Sequence, residues 1–356
     1  YSPAKAEELE RNLRRLGFIA EARVEAVFHP DGTVDLLVHT RDQFTLRAGA
    51  SGATFAGSES GRASIGEDNL FGWGKSLSLL YQVTPDVAGG ELRYEDFQFL
   101  GTRSVFQSSL RSTDEGNSEE FSLVRPFDTL STPWSYGARA GHVEDEAEFF
   151  EAGEDVARVP RKLDYENLFL TRGLGPPERR RLYGVSLVHE RTAFGAPQGT
   201  VGDVLEVPGE LDSWRIGPTL SFRDIPVYRK RTFLDALGYV EDVATGSSIQ
   251  FLPGIRWRAE KGTETQLELG ADAETFWVME PWGTSISVLR VNASGRSGEG
   301  GGQGWSVGGF LHHYETGLPG QTIATNLSAD FVWEGEDLPV ELKLGEESGL
   351  RGYEAR

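Results

Sequence analysis

Thr263-Glu264-Thr265-Gln266-Leu267-Glu268-Leu269-Gly270-Ala271-Asp272-Ala273-Glu274-Thr275 changes character at almost every step. Side chains of an extended strand point alternately to its two faces. Thr263, Thr265, Leu267, Leu269, Ala271 and Ala273 therefore share one face, and Glu264, Gln266, Glu268, Asp272 and Glu274 the other. One face suits lipid or a protein core, the other suits water. Trp214, Ile216, Pro218, Leu220 and Phe222 alternate in the same way with Arg215, Thr219, Ser221 and Arg223. Ile323, Thr325, Leu327, Ala329 and Phe331 alternate with Asn326, Ser328 and Asp330. Alternation alone fits a soluble sandwich, with its apolar face inward, as well as a membrane barrel, with that face outward.

The surroundings of these strands favour the barrel. From Phe44 onward about fifteen strand-like segments follow one another, parted by Gly, Pro, Asp and Asn clusters. Aromatics gather near turns, at Phe71-Gly72-Trp73, Phe97 and Phe99, Trp134 and Tyr136, Phe276 and Trp277, Trp282, and Phe331 with Trp333. Interfacial girdles of a barrel occupy such places. Short turns near Asn69–Gly74 and Leu100–Arg103 contrast with long polar connections expected at Glu144–Val159 and Phe194–Asp212, as periplasmic turns contrast with extracellular loops. A closed barrel satisfies its backbone without water, which makes this pattern viable in lipid.

Composition narrows the function. Thirty-five Lys and Arg against 55 Asp and Glu give a net charge of −20, which argues against nucleic acid as a partner, because phosphate binding needs clustered cations. The absence of cysteine rules out disulfides and thiol chemistry. No apolar run is long enough for a transmembrane helix, a test to which barrels are blind. The first residue is Tyr1, with neither a methionine nor a secretory signal, so a longer precursor is expected.

Residues 1–42 read differently from the rest. Ala4–Leu16 is expected to be a helix, with Leu9, Leu13 and Leu16 at helical spacing and Gly17 as its stop. Strands are expected at Ala22–His29 and Thr33–Thr40, joined by the turn Pro30-Asp31-Gly32. The chemistry of enzymes leaves little trace. There is no Gly-x-Ser-x-Gly elbow, P-loop or His-Glu-x-x-His, and Gly298–Gly304 makes no dinucleotide fingerprint. His312 and His313 would point to opposite faces of a strand and are poor joint metal ligands. Acidic runs at Glu144-Asp145-Glu146 and Glu346-Glu347 read as solvated loops, and among so many acids no glycosidase pair stands out. No catalytic residue, metal or cofactor is expected.

Several passages together resemble the BamA/TamA-type outer-membrane assembly superfamily. Helix, Leu16-Gly17-Phe18 and hairpin look like the second half of a POTRA domain, whose first strand and helix would lie upstream. Glu67-Asp68-Asn69-Leu70-Phe71-Gly72-Trp73-Gly74-Lys75 is similar to the Asn-aromatic-Gly-x-Gly turn between early barrel strands, with Leu70 inserted. Arg125-Pro126-Phe127 and Ser131-Thr132-Pro133-Trp134-Ser135-Tyr136-Gly137 resemble the approach to a later strand. Gly349-Leu350-Arg351-Gly352-Tyr353 resembles the family's lumenal loop motif, in which the arginine pairs with an acid on a strand further on.

The resemblance implies a mainly β fold, with part of a POTRA domain over residues 1–42 and the larger part of an antiparallel transmembrane β-barrel over 43–356. It implies a bacterial outer-membrane location with the POTRA segment in the periplasm. The barrel would be completed, and the acidic partner of Arg351 supplied, by further strands from a C-terminal continuation or a second chain. Phe44–Thr54 would be the first barrel strand, with Phe44, Leu46, Ala48, Gly49 and Gly52 at a seam that its glycines weaken. The implied activity is insertion or translocation of client outer-membrane or secreted proteins, by β-strand templating at that seam. Partners would be outer-membrane lipids and lipopolysaccharide, the client proteins and periplasmic accessory subunits. A secretion pore for one partner, or a passive porin or uptake channel, would share much of the pattern.

Overall fold

The computed structural model describes residues 2–55, 58–84, 87–127, 129, 132–151, 154–199, 209–232, 240–260, 266–281, 285–298, 304–317 and 321–333. The chain begins with one helix, α1 (Pro3–Arg14), and a two-stranded sheet of β1 (Ile19–Phe28) and β2 (Val34–Asp42). Pro3 opens the helix, where its fixed φ is already helical and its missing N–H is not needed. Arg11 and Arg14 in the last turn face the negative end of the helix dipole. Ala20, Ala22 and Val24 alternate inward along β1 and form a small core with Ile19 and Ala6 of α1. Every backbone pair from Ala22↔Thr40 to Phe28↔Val34 is in register.

The remaining strands form one sheet of 15 strands, all antiparallel and each beside its neighbour in sequence. The first six are β3 (Leu46–Phe55), β4 (Ser58–Glu67), β5 (Lys75–Val83), β6 (Ala88–Asp96), β7 (Val105–Thr113) and β8 (Asn117–Arg125). The next five are much longer: β9 (Trp134–Glu151), β10 (Glu154–Leu174), β11 (Arg179–Phe194), β12 (Leu211–Thr232) and β13 (Val240–Glu260). The last four are β14 (Gln266–Met279), β15 (Ser285–Gly298), β16 (Gly304–Glu315) and β17 (Ile323–Trp333). Among the described residues β3 pairs only with β4 and β17 only with β16, so both are edge strands.

Glu144–Val159, expected as a long polar connection, is instead the tip of a hairpin: β9 runs to Glu151 and β10 resumes at Glu154. Its polar sequence does not stop it from being strand, and Ala157 and Val159 near its end are fully buried. After Phe194 the chain leaves β11, with Gly195 N–H donating to Pro160 O at 2.7 Å and Gln198 bridging to Arg158; residues 200–208 of the expected connection lie outside the described residues, and β12 begins at Leu211.

The two faces of the sheet differ in a way that separates barrel from sandwich. One lateral row runs Leu123–Ala138–Leu168–Leu187–Ile216–Ile255–Leu269 across seven strands. These apolar side chains are uncovered, with Leu168 at 53%, Ile216 at 42% and Leu269 at 62% exposure. A row three positions further along the strands, on the other face, runs Arg47–Gly66–Ser78–Arg93–Ser109–Glu120–Gly141–Tyr165–Glu190–Ser213–Arg258–Gln266 over twelve strands, with no aliphatic side chain. That polar face is the concave one, because side chains two strands apart meet on it: Arg215 of β12 pairs with Asp272 of β14, and Arg256 of β13 with Glu190 of β11. Glu268 on this face is only 3% exposed. A soluble sandwich buries its apolar face, whereas this sheet leaves that face uncovered among the described residues.

The apolar band also drifts along the strands. In β3 to β7 it runs Ala48–Ile65–Leu79–Leu92–Leu110, but Leu110 faces Glu119, and the exposed apolar side chains of β8 are Phe121 and Leu123. A level band crossing a sheet at a slant to its registers is what tilted, staggered strands produce.

Candidate functional site

The end of the sheet that holds the turns after β4, β6, β8 and β10 carries most of the features singled out in the sequence. There β3 enters the sheet. Phe44 precedes the strand and is exposed, Leu46, Ala48 and Gly52 lie on the apolar face, and Gly49 on the polar face beside Ser64. From Leu46 to Thr54 the only large side chains are Leu46 and Arg47. One edge of β3 zips to β4 from Leu46↔Glu67 to Phe55↔Ser58. Its other edge has no partner strand among the described residues. Unpaired N–H and C=O groups on such an edge are a template for another strand.

The motif Asn69-Leu70-Phe71-Gly72-Trp73-Gly74 forms the turn after β4. Gly72 N–H donates to Asn69 O at 2.8 Å and Trp73 N–H to Leu70 O at 3.1 Å, a single 3-10 turn. The Asn69 side chain closes the loop by accepting from Gly74 N–H at 2.8 Å, and Asn69 N–H donates to Glu67 at 3.0 Å. Gly72 and Gly74 hold φ of 77° and 65°. Phe71 is also left-handed, at φ 53°, which costs a bulky residue about 1–2 kcal/mol. It is 77% exposed, and among the described residues its ring meets only that of Trp73, so the turn's hydrogen bonds, not burial, hold the strained conformation.

The same turn recurs after β6, where a short turn near Leu100–Arg103 is expected from the sequence but not its likeness to the first. Gln98 stands for Asn69, Leu100 for Phe71 and Gly101 for Gly72: Leu100 has φ 52° and Gly101 φ 72°, and Gly101 N–H donates to Gln98 O at 2.8 Å. Asp96 accepts from Gln98 N–H at 3.0 Å as Glu67 does from Asn69. Leu100 is 84% exposed. The shared signal is an acid, an amide two positions on and a glycine three further, at Glu67, Asn69, Gly72 and at Asp96, Gln98, Gly101.

The N-terminal helix docks at this end against β12 and β13. Arg14 grips Asp242 with two contacts, Lys230 reaches Glu10 at 3.2 Å, and the Arg11 guanidinium lies 4.3 Å from the centre of the Tyr228 ring. A cavity of about 590 Å³ opens between α1, Phe127, Arg180 and Arg223. On the polar face Arg258 meets Glu268 at 3.6 Å and Arg290 meets Glu274 at 3.1 Å. His312 and His313 lie on opposite faces: His312 between the rings of Phe310 and Tyr314, and His313 against Ser287 at 2.9 Å. Gly349, Leu350, Arg351, Gly352 and Tyr353 lie outside the described residues.

No family model matches the chain, and no curated protein matches it in sequence. Among solved structures it is similar to the crystal structure of BamA from Haemophilus ducreyi lacking POTRA domains 1-3, at 12% identity and a TM-score of 0.35 over 91% of this chain. The chain spans 65% of the length of that structure.

Proposed function

We propose that the large sheet is the wall of a transmembrane β-barrel in the bacterial outer membrane, and that the protein inserts or translocates client proteins there as a member of the BamA-like superfamily. The uncovered apolar face opposite a polar, ion-paired one supports the barrel, since lipid is the solvent that suits such an outer surface. The edge of β3 that has no partner strand among the described residues carries the functional reading. A client strand adds to it by main-chain hydrogen bonding, which needs no particular client sequence, and the small side chains from Ala48 to Ala53 let successive clients pair and leave. In this reading α1 with β1 and β2 is the half-POTRA at the periplasmic mouth, and the reaction needs no cofactor, metal or catalytic side chain.

The test uses purified protein in liposomes with an unfolded outer-membrane barrel as client. Client folding, read by heat-modifiable gel mobility, speeds up with the protein present. A cysteine at Ala48 crosslinked to whichever strand lies beside it abolishes that gain without unfolding the wall. Steady solute conductance with no effect on client folding would replace this reading with a porin.

A further inference from the structure

We propose that the turns after β4 and β6 form a membrane foot, in which Phe71 and Leu100 insert into the headgroup–acyl boundary of the leaflet at that end of the wall. This rests on the barrel reading and adds a surface that the insertase mechanism does not require. Both turns hold a large apolar residue in a left-handed conformation that a glycine would adopt freely, and both present it almost fully exposed. Two different sequences thus converge on one backbone and one result, an apolar tip. A protein pocket selects shape, whereas a lipid boundary asks only for apolar bulk, and Phe71 and Leu100 share only that.

The tips are continuous with the lipid-facing surface. Phe99, beside Leu100, stacks on Phe106 with ring centres 5.1 Å apart, and Phe106 in turn lies 6.2 Å from Tyr94. Phe106 and Tyr94 belong to the apolar face, in register with Leu123 and Phe121 through β7 and β8. Phe71 contacts Trp73 at 5.3 Å, and this exposed indole suits the same boundary. Phe44, also exposed, lies two residues before Leu46 of that face. Lys75, which pairs with Asp96 at 3.2 Å, follows the first tip by four positions.

The chain has no cysteine, so single cysteines can be labelled without background. Phe71→Cys and Leu100→Cys, each carrying an environment-sensitive nitrobenzoxadiazole, are reconstituted in phosphatidylethanolamine–phosphatidylglycerol vesicles. Leu269→Cys serves as the reference in the apolar band and Lys5→Cys as the reference in water. The labels at 71 and 100 are expected to be blue-shifted, and quenched more by lipids brominated next to the headgroup than by lipids brominated near the chain ends. The label at 269 should show the opposite depth order and that at 5 no quenching. If the labels at 71 and 100 stay as water-exposed as that at 5 while 269 is quenched, the foot is wrong, the barrel stands, and the tips are left to a protein partner. If 269 is unquenched, the barrel reading fails and the foot with it. Trp73, read as the difference in bromolipid quenching between the native chain and Trp73→Phe, reports the same depth with both tips intact.

Discussion

Arg14 of α1 and Asp242 of β13 are 228 positions apart, yet Nε meets Oδ2 at 2.8 Å and Nη2 meets Oδ1 at 2.9 Å, a fork matched to a carboxylate. Both side chains are largely buried, and Arg14 also donates to Ala22 O at 3.0 Å, so the pair ties helix, hairpin and sheet together. Breaking a buried, hydrogen-bonded ion pair by removing one partner costs about 3–5 kcal/mol. Arg14→Ala should therefore release the N-terminal unit from the sheet, with cleavage of the hairpin by a protease rising on the order of 100-fold at the lower bound, one tenfold per 1.4 kcal/mol. Arg14→Lys keeps the charge and loses the fork, and should fall between. Unchanged cleavage in Arg14→Ala would mean that the helix is held by other contacts.

Glu10 gives the same joint a pH dependence. Burial pushes its carboxyl up, but the Val24 N–H, Lys230 and Arg14 outweigh that and hold it below the ordinary value of 4.5. A carboxyl depressed on folding adds stability above its unfolded pKa and loses it as pH falls through the folded one. The docked state should weaken below about pH 4.5, seen as falling anisotropy of a dye on Lys5→Cys. In Glu10→Gln the part of that pH response owed to Glu10 disappears, at the cost of weaker docking at neutral pH.

The alternation of Leu267, Leu269 and Ala271 with Glu268 and Asp272 was legible because the two faces of β14 meet different surroundings, and the register places those residues as the pattern implies. Glu264 lies outside the described residues. Glu144–Val159 differs from the expected connection because its acids, Glu144, Asp145, Glu146, Glu148, Glu151, Glu154 and Asp155, fall at both parities and leave no clean alternation to mark the strands. The joint of Arg14 with Asp242 left no trace, since a pair so far apart has no period. A short turn near Leu100–Arg103 was expected, but its likeness to the first was hidden by its substitutions, Gln98 for Asn69 and Leu100 for Phe71, although the acid–amide–glycine spacing would have revealed it.

Two glycines should fail for different reasons. A Cβ on Gly141 would lie 2.5 Å from the Tyr165 ring on the neighbouring strand, so Gly141→Ala must displace that ring, and overpacking of this kind costs about 1–3 kcal/mol. A Cβ on Gly72 would meet nothing within 4 Å, and its φ of 77° is the whole penalty. Gly72→Ala should therefore cost only about 1 kcal/mol. Urea unfolding in lipid vesicles measures both, and an equal loss would mean that the Tyr165 ring yields without strain.

The orientation of the faces can be tested on one strand. Leu269 belongs to the exposed apolar row, and Glu274 lies on the polar face, where it meets Arg290 at 3.1 Å. In a bilayer an arginine on the outward face near mid-depth costs about 2–4 kcal/mol. Leu269→Arg should lose that much stability in vesicles and little in urea-compatible detergent with thin micelles, where the arginine can reach water. Glu274→Gln removes one side of a half-exposed ion pair, for which about 0–1 kcal/mol is the usual worth in either medium. The two substitutions thus differ in sensitivity to lipid. If Leu269→Arg were harmless in vesicles and Glu274→Gln costly, the polar face would be the one against the membrane, and the sheet would have to be read inside out.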